Sequence, residues 1–187
     1  MRRDPEAQLR ESLRLFLEKK NLVDTSKCHF GGDNDERADI ELLLNRALWP
    51  VGMPAKILLE AKSNHSTDSA NTINKLFGQL LKETGKASRN KWASSSFCLG
   101  ILVPSDGGEW ETRNGKKKKA GSGLDYYRVG FSRIPRHIFD AFGGLVNARY
   151  VFAYSESLQC LSVFTWSGFR NSEEPFLKFS AINAPAK

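Results

Sequence analysis

The segment Lys56-Ile57-Leu58-Leu59-Glu60-Ala61-Lys62 constrains this chain more than any other, because an apolar run turns abruptly charged at its end. An uninterrupted Ile-Leu-Leu stretch is the mark of a strand buried on both faces, the kind that lies centrally in a sheet. Alternation along such a strand sends Glu60 and Lys62 to one side and Ala61 to the other. Charges at the end of a buried strand are costly unless partners or a metal ion compensate them, so the rest of the chain must supply that compensation.

The flanking sequence predicts an alternation of helices and strands. Asp4-Pro5 is a helix start, an N-cap acceptor followed by a proline whose missing N–H costs nothing there; Leu9, Leu13, Phe16 and Leu17 recur on one face, and Lys20-Asn21 ends a helix over 5–20. A strand is expected over 23–30, closed by the turn-rich Gly31-Gly32-Asp33-Asn34-Asp35, and a second over 38–44. The breakers between Trp49 and Pro54 separate it from the 56–62 strand. Ile73, Leu76, Phe77, Leu80 and Leu81 form one helical stripe over 70–84, ended by Gly85, and Phe97–Val103 is a further strand. A basic loop over 106–123 follows, then a strand over 126–131, a short helix over 135–142 ended by Gly143-Gly144, and strands over 149–154, 158–166 and 176–182.

Length and composition narrow the class. The 187 residues suffice for one domain with a real core and leave little room for a second. No apolar run reaches the roughly 18 residues that a membrane span needs, and the charged opening Met1-Arg2-Arg3-Asp4-Pro5-Glu6 does not read as a secretory leader. Cys28, Cys98 and Cys160 form no Cys-x-x-Cys pair, so they read as reduced thiols of a cytoplasmic protein rather than as bridges or zinc ligands. With 28 basic and 21 acidic side chains the net charge is +7, which favours a polyanionic partner.

The chemistry lies in Asp39 together with Glu60-Ala61-Lys62. Antiparallel pairing of the second and third strands would set the start of one beside the end of the other, gathering two carboxylates and an ammonium at one end of a sheet. Two carboxylates are the hard oxygen ligands that Mg²⁺ prefers, and they leave coordination positions for water and phosphate; Mn²⁺ can substitute. A bound ion activates water and polarises a phosphate, while Lys62 adds a point charge for the attacking water or the transition state. Glu-x-Lys alone carries little weight, since Glu18-Lys19-Lys20 repeats it at the end of the first helix. Its setting is what matters here: an apolar strand before it, an acidic strand start upstream and an amphipathic helix after it.

These residues, with Arg37-Ala38-Asp39-Ile40 and Leu58-Leu59-Glu60-Ala61-Lys62 as the motif, resemble the PD-(D/E)XK nuclease superfamily over roughly residues 5–103. Ala38 stands where the motif name has proline. The resemblance implies a mixed α/β fold: a restriction endonuclease-like αβββαβ core, a central mixed sheet flanked by helices, and a β-rich C-terminal extension over about 124–187. It implies that Asp39 and Glu60 bind the metal, that the Ala61 carbonyl joins them, and that Lys62 assists catalysis. Many members carry a glutamate on the first helix; by helical angle Glu6 is preferred here and Glu11 is the runner-up. Restriction-type and Holliday junction resolvase-like branches also carry a glutamine on the helix after Glu-x-Lys, and Gln79 fits that place.

The expected activity is therefore Mg²⁺-dependent hydrolysis of phosphodiester bonds, with DNA as the substrate by the habits of the family and RNA as the variant reading. The alternative is a catalytically silent nuclease-like module that binds nucleic acid or protein. His65 reads as an exposed loop histidine, with phosphate contact as its functional alternative. The run Lys116-Lys117-Lys118-Lys119 is either simply solvated or rides along a nucleic-acid backbone. Tyr126, Tyr127 and Trp166 read as packing residues. A homodimer or a partner protein in a larger complex both remain compatible with these features.

Overall fold

The computed structural model describes residues 4–31, 38–65, 68–85, 97–107, 109–111, 117–119 and 123–180, with the side chains of 109–111 and 117–119 excepted. Its first helix, α1 (Pro5–Lys19), begins where the Asp4 carboxylate accepts the Glu6 amide at 3.0 Å. It ends at Asn21, whose φ of 53° puts it in the left-handed region. There the Leu22 and Asn21 amides close back on the Leu17 and Glu18 carbonyls, which satisfies acceptors that a helix end would otherwise strand.

The strands β1 (His29–Phe30), β2 (Ile40–Leu43), β3 (Lys56–Ala61), β4 (Phe97–Pro104), β7 (Ala148–Ser155), β8 (Cys160–Thr165) and β9 (Leu177–Ser180) form one seven-stranded sheet in the order β1-β2-β3-β4-β7-β8-β9. Its centre, β3-β4-β7, is parallel; both flanks are antiparallel. Parallel neighbours require crossovers. Helix α2 (Ser69–Gly85) makes the first, while α3 (Gly123–Ser132) and α4 (Arg136–Val146) lie in the second. These helices and the short α5 (Trp166–Arg170) pack on one face, where Leu58, Ile101, Val151, Leu76, Phe131, Phe139 and Trp166 share a core. On the other face lies α1, burying Leu9, Leu13, Phe16 and Leu17 against Ile40, Leu42, Ile57 and Leu59. The fold is thus mixed α/β, a mixed sheet flanked by helices. No helix among the described residues is long and apolar enough to cross a membrane, and all three cysteines are free.

Several expectations need correction. The strand expected over 23–30 shrinks to His29–Phe30, because Thr25–Lys27 forms a single 3₁₀ turn and Val23 makes only an isolated bridge to Leu44. The expected loop over 106–123 holds a small hairpin, β5 (Glu109–Glu111) against β6 (Lys117–Lys119). Tyr126–Phe131 is helical and belongs to α3, where Gly123, Tyr127, Gly130 and Phe131 are buried at helical spacing. Gly143-Gly144 does not end α4, which continues to Val146 and closes at the left-handed Asn147. A Cβ on Gly143 would lie 2.5 Å from the Trp166 ring, so that glycine serves packing rather than termination. The C-terminal region is not a β-rich appendage: it supplies three helices, and its first strand, β7, pairs directly with the central β4.

Gly100 in β4 allows a close approach between β4 and its neighbours. A Cβ there would sit 2.7 Å from the Tyr150 carbonyl oxygen and 2.9 Å from Leu59 Cδ2, next to the register shift between β4 and β7. Gly100→Ala is expected to destabilise the fold by about 1–3 kcal/mol through overpacking. Urea titration should show a lower midpoint with an unchanged slope.

Candidate metal and nucleic-acid site

The C-terminal ends of β3, β4 and β7 lie together because those strands are parallel, and in open α/β sheets this edge is where ligands bind. The pairing of β2 with β3 brings Asp39 there. Ile40 opposes Leu59 and Glu41 opposes Leu58, so Asp39, one residue before β2, lies next to the end of β3. The Asp39 side chain also closes the sheet end: its Oδ2 accepts the Ala61 amide at 2.9 Å. Two carboxylates distant in sequence thus flank one β-strand terminus.

Cations and a third carboxylate complete the cluster. Lys62 Nζ lies 3.4 Å from Glu6 Oε2, and Glu6 Oε1 is 3.5 Å from the Ser63 amide. Arg10, one turn beyond Glu6 on α1, places Nη1 4.0 Å from Asp39 Oδ1. Glu60 and Lys62 are only 5% and 8% exposed, so their charges lie at a largely desolvated rim. Burial alone does not make a site: at the other end of β3 Lys56 and Glu41 form an equally buried pair at 3.1 Å, which is weak evidence for anything beyond structure. What differs at the Glu60 end is that its ion pairs join the sheet to α1, Lys62 with Glu6 and Asp39 with Arg10.

The segment leaving β3 is held firmly. Lys62 donates its amide to the Leu102 carbonyl at 2.9 Å, the buried Tyr127 hydroxyl donates to the Ser63 carbonyl at 2.7 Å, and the buried Asn64 donates Nδ2 to the Asp106 carbonyl at 3.1 Å. Asp106 in turn ties the end of β4 to the β7–β8 turn. Its carboxylate accepts from the Ser155 hydroxyl at 2.6 Å, from the Ser157 hydroxyl and amide at 2.8 and 3.1 Å, and from the Glu156 amide at 2.7 Å. Glu156 then accepts from Gln8 and Ser12 of α1. The helix carrying Glu6 and Arg10 is therefore anchored to the same edge of the sheet.

Of the residues singled out in the sequence, Ala61 meets Asp39 and Lys62 meets Glu6, with Glu60 next to Ala61 on the same strand end. Glu11 does not join them: it pairs with Arg14 at 2.7 Å on the exposed side of α1. Gln79 lies on α2, half-buried, and its Oε1 is buried without a hydrogen-bond partner, so no contact ties it to the cluster. His65 is exposed, three residues past Lys62. Lys117–Lys119 form β6, and Lys116 lies outside the described residues. Sequence reading missed Arg10, Asp106 and Tyr127. Arg10 was within reach, since it follows Glu6 by four residues and so shares its helical face.

Among the described residues, no three His, Cys, Asp or Glu side chains gather closely enough to hold a metal ion by themselves. Mg²⁺ usually takes one or two protein carboxylates and fills its remaining positions with water and phosphate oxygens, so Asp39 and Glu60 are the donors such an ion would use. No protein-family model matches the chain, and neither a curated protein nor a solved structure shows a significant match to it.

The Asp106 knot yields a pH prediction. Burial would raise this carboxyl, but the hydrogen bonds from Ser155, Ser157 and Glu156 outweigh it and hold the group below its ordinary value of 3.8. Its stabilisation is fully present above that unfolded-chain value and is lost as pH falls through the lower folded one. Asp106→Asn should therefore destabilise the chain at neutral pH and flatten the loss of stability below about pH 4, measured as denaturant midpoints across an acid series.

Proposed function

We propose that this chain is a divalent-metal-dependent nuclease of the PD-(D/E)XK type, hydrolysing phosphodiester bonds in DNA. The observation that carries the reading is the hydrogen bond from the Ala61 amide to Asp39 at 2.9 Å, which brings that carboxylate to the strand end bearing Glu60 and Lys62. The order α1-β1-β2-β3-α2-β4 supports it as well, since it follows the αβββαβ order of the restriction endonuclease-like core.

In this reading Asp39 and Glu60 hold Mg²⁺, with the Ala61 carbonyl as a further oxygen donor. When bound, the ion supplies Lewis-acid polarisation of the phosphate and a water of lowered pKa. Lys62 directs its ammonium at the attacking water or at the charge that develops on the phosphoryl oxygens, and Glu6 keeps that long side chain from swinging away. Arg10 offsets the charge of Asp39 and stands ready to meet a phosphate. The +7 of the whole chain favours approach of a polyanion. The exposed His65 and the lysines of β6, with Lys116 before them, are the basic groups assigned to nucleic-acid contact.

The silent-module reading draws on the lack of a third acidic ligand among the described residues. A single comparison separates the two: the silent module binds DNA without cutting it.

Plasmid, linear, single-stranded and branched DNA, and RNA, incubated with the purified chain should show cleavage of DNA with Mg²⁺ or Mn²⁺ and none in excess EDTA. Glu60→Ala should lower the rate by about 10³-fold, on the order of 4 kcal/mol of transition-state stabilisation, without loss of the fold. Wild-type cutting by Glu60→Ala, or robust cutting in EDTA, would refute the proposal.

A further inference from the structure

Tyr127 lies in the part of the chain that the motif does not reach, and it touches none of the acidic groups directly by hydrogen bond. Its ring is completely buried, packed near Tyr126 and Phe131. A buried tyrosine usually finds an acceptor for its hydroxyl, and many carbonyls would serve. The one used here is that of Ser63, the residue next to Lys62.

That choice has consequences for Lys62. The last ladder bond on this strand is from the Lys62 amide to Leu102, and Ser63 lies beyond the end of β3. The Ser63 peptide is where the chain either keeps its course or swings away. Tyr127 grips that residue by its carbonyl at 2.7 Å, and Glu6 Oε1 faces its amide at 3.5 Å. The second oxygen of Glu6 faces the Lys62 ammonium at 3.4 Å. A continuous chain of polar contacts therefore runs from Tyr127 through Ser63 and Glu6 to Lys62.

We propose that Tyr127 is a positioning residue for Lys62, clamping the Ser63 carbonyl so that the lysine ammonium stays against Glu6 at the rim of the carboxylate site. The step it serves rests on the nuclease reading above. Burial, reinforced by neighbouring Tyr126 and Glu6, pushes the Tyr127 phenol well above its ordinary value, so it remains a neutral donor throughout the useful pH range. Helix α3 thereby couples the second crossover of the sheet to the catalytic strand. A displacement of about 1 Å at such a group can cost a hundredfold in rate.

The test is Tyr127→Phe in the full chain, a deletion of one hydroxyl that preserves the ring. Tyr126→Phe, which removes the neighbouring hydroxyl bonded to Thr72 at 3.2 Å, serves as the matched control. Amide hydrogen exchange should accelerate at Ser63 and Asn64 in Tyr127→Phe alone, with Ile57–Glu60 unchanged. The kcat for DNA should fall roughly ten- to a hundred-fold while KM and the Mg²⁺ half-saturation hold, because Asp39 and Glu60 keep their strand register. A merely structural tyrosine would lower thermal stability and leave kcat in place, and that result overturns the proposal, as does unchanged exchange at Ser63 and Asn64. Should the wild-type chain cut nothing, the nuclease reading falls by itself. Exchange then decides the clamp: acceleration sustains it and wild-type exchange removes it.

Discussion

Asp39 and the amide of Ala61 are 22 residues apart in sequence and 2.9 Å apart in space. That contact depends on antiparallel pairing of β2 with β3, and everything at the candidate site depends on the same pairing. The register is held by burial: Ile40, Leu42, Ile57 and Leu59 all enter the core beneath α1, and a slip of one residue would turn Ile40 and Leu42 away from it and drive Glu41 in. Core packing thus fixes the positions of the charged groups, which is more reliable than letting mutually repelling carboxylates find one another.

The second constraint is the parallel centre of the sheet. Because β3, β4 and β7 run the same way, their carboxyl ends share an edge with the ends of two crossovers. Asp106 locks the exit of β4 to the β7–β8 turn, and Glu156 in that turn holds Gln8 and Ser12 of α1. Glu6 and Arg10 are carried to the site by that anchored helix, while Tyr127 approaches from the other face on α3. The charged cluster therefore sits between two layers, each fastened to the same edge.

The elements written in strong periodicity were legible: the Leu9-Leu13-Phe16-Leu17 face of α1 and the apolar core of β3 formed as their patterns predicted, and α2 buried Ile73, Leu76 and Leu80 of its stripe while leaving Leu81 exposed. So was the antiparallel pairing of β2 with β3, since strands adjacent in sequence usually neighbour one another. The failures have physical causes. Tyr126–Phe131 is rich in aromatic residues of high β propensity, yet tertiary packing against α2 made it helical. Gly143-Gly144 looks like a helix stop until the Trp166 ring that needs the space is known. Asp106 and Tyr127 could not be found at all, because each acts on a backbone more than 40 residues away and no local pattern signals such a bond.

The central claim is that Asp39 and Glu60 together grip one divalent ion, and cation binding itself measures this most directly. Calorimetric titration of the wild-type chain with Mg²⁺ and Mn²⁺ should give one ion per chain. Asp39→Asn and Glu60→Gln, each folded, should each weaken binding by at least the roughly ten- to hundred-fold that loss of even a supporting group costs at a metal site. Two variants that bind the ion as tightly as the wild type, or a wild-type chain that binds none, would contradict the account.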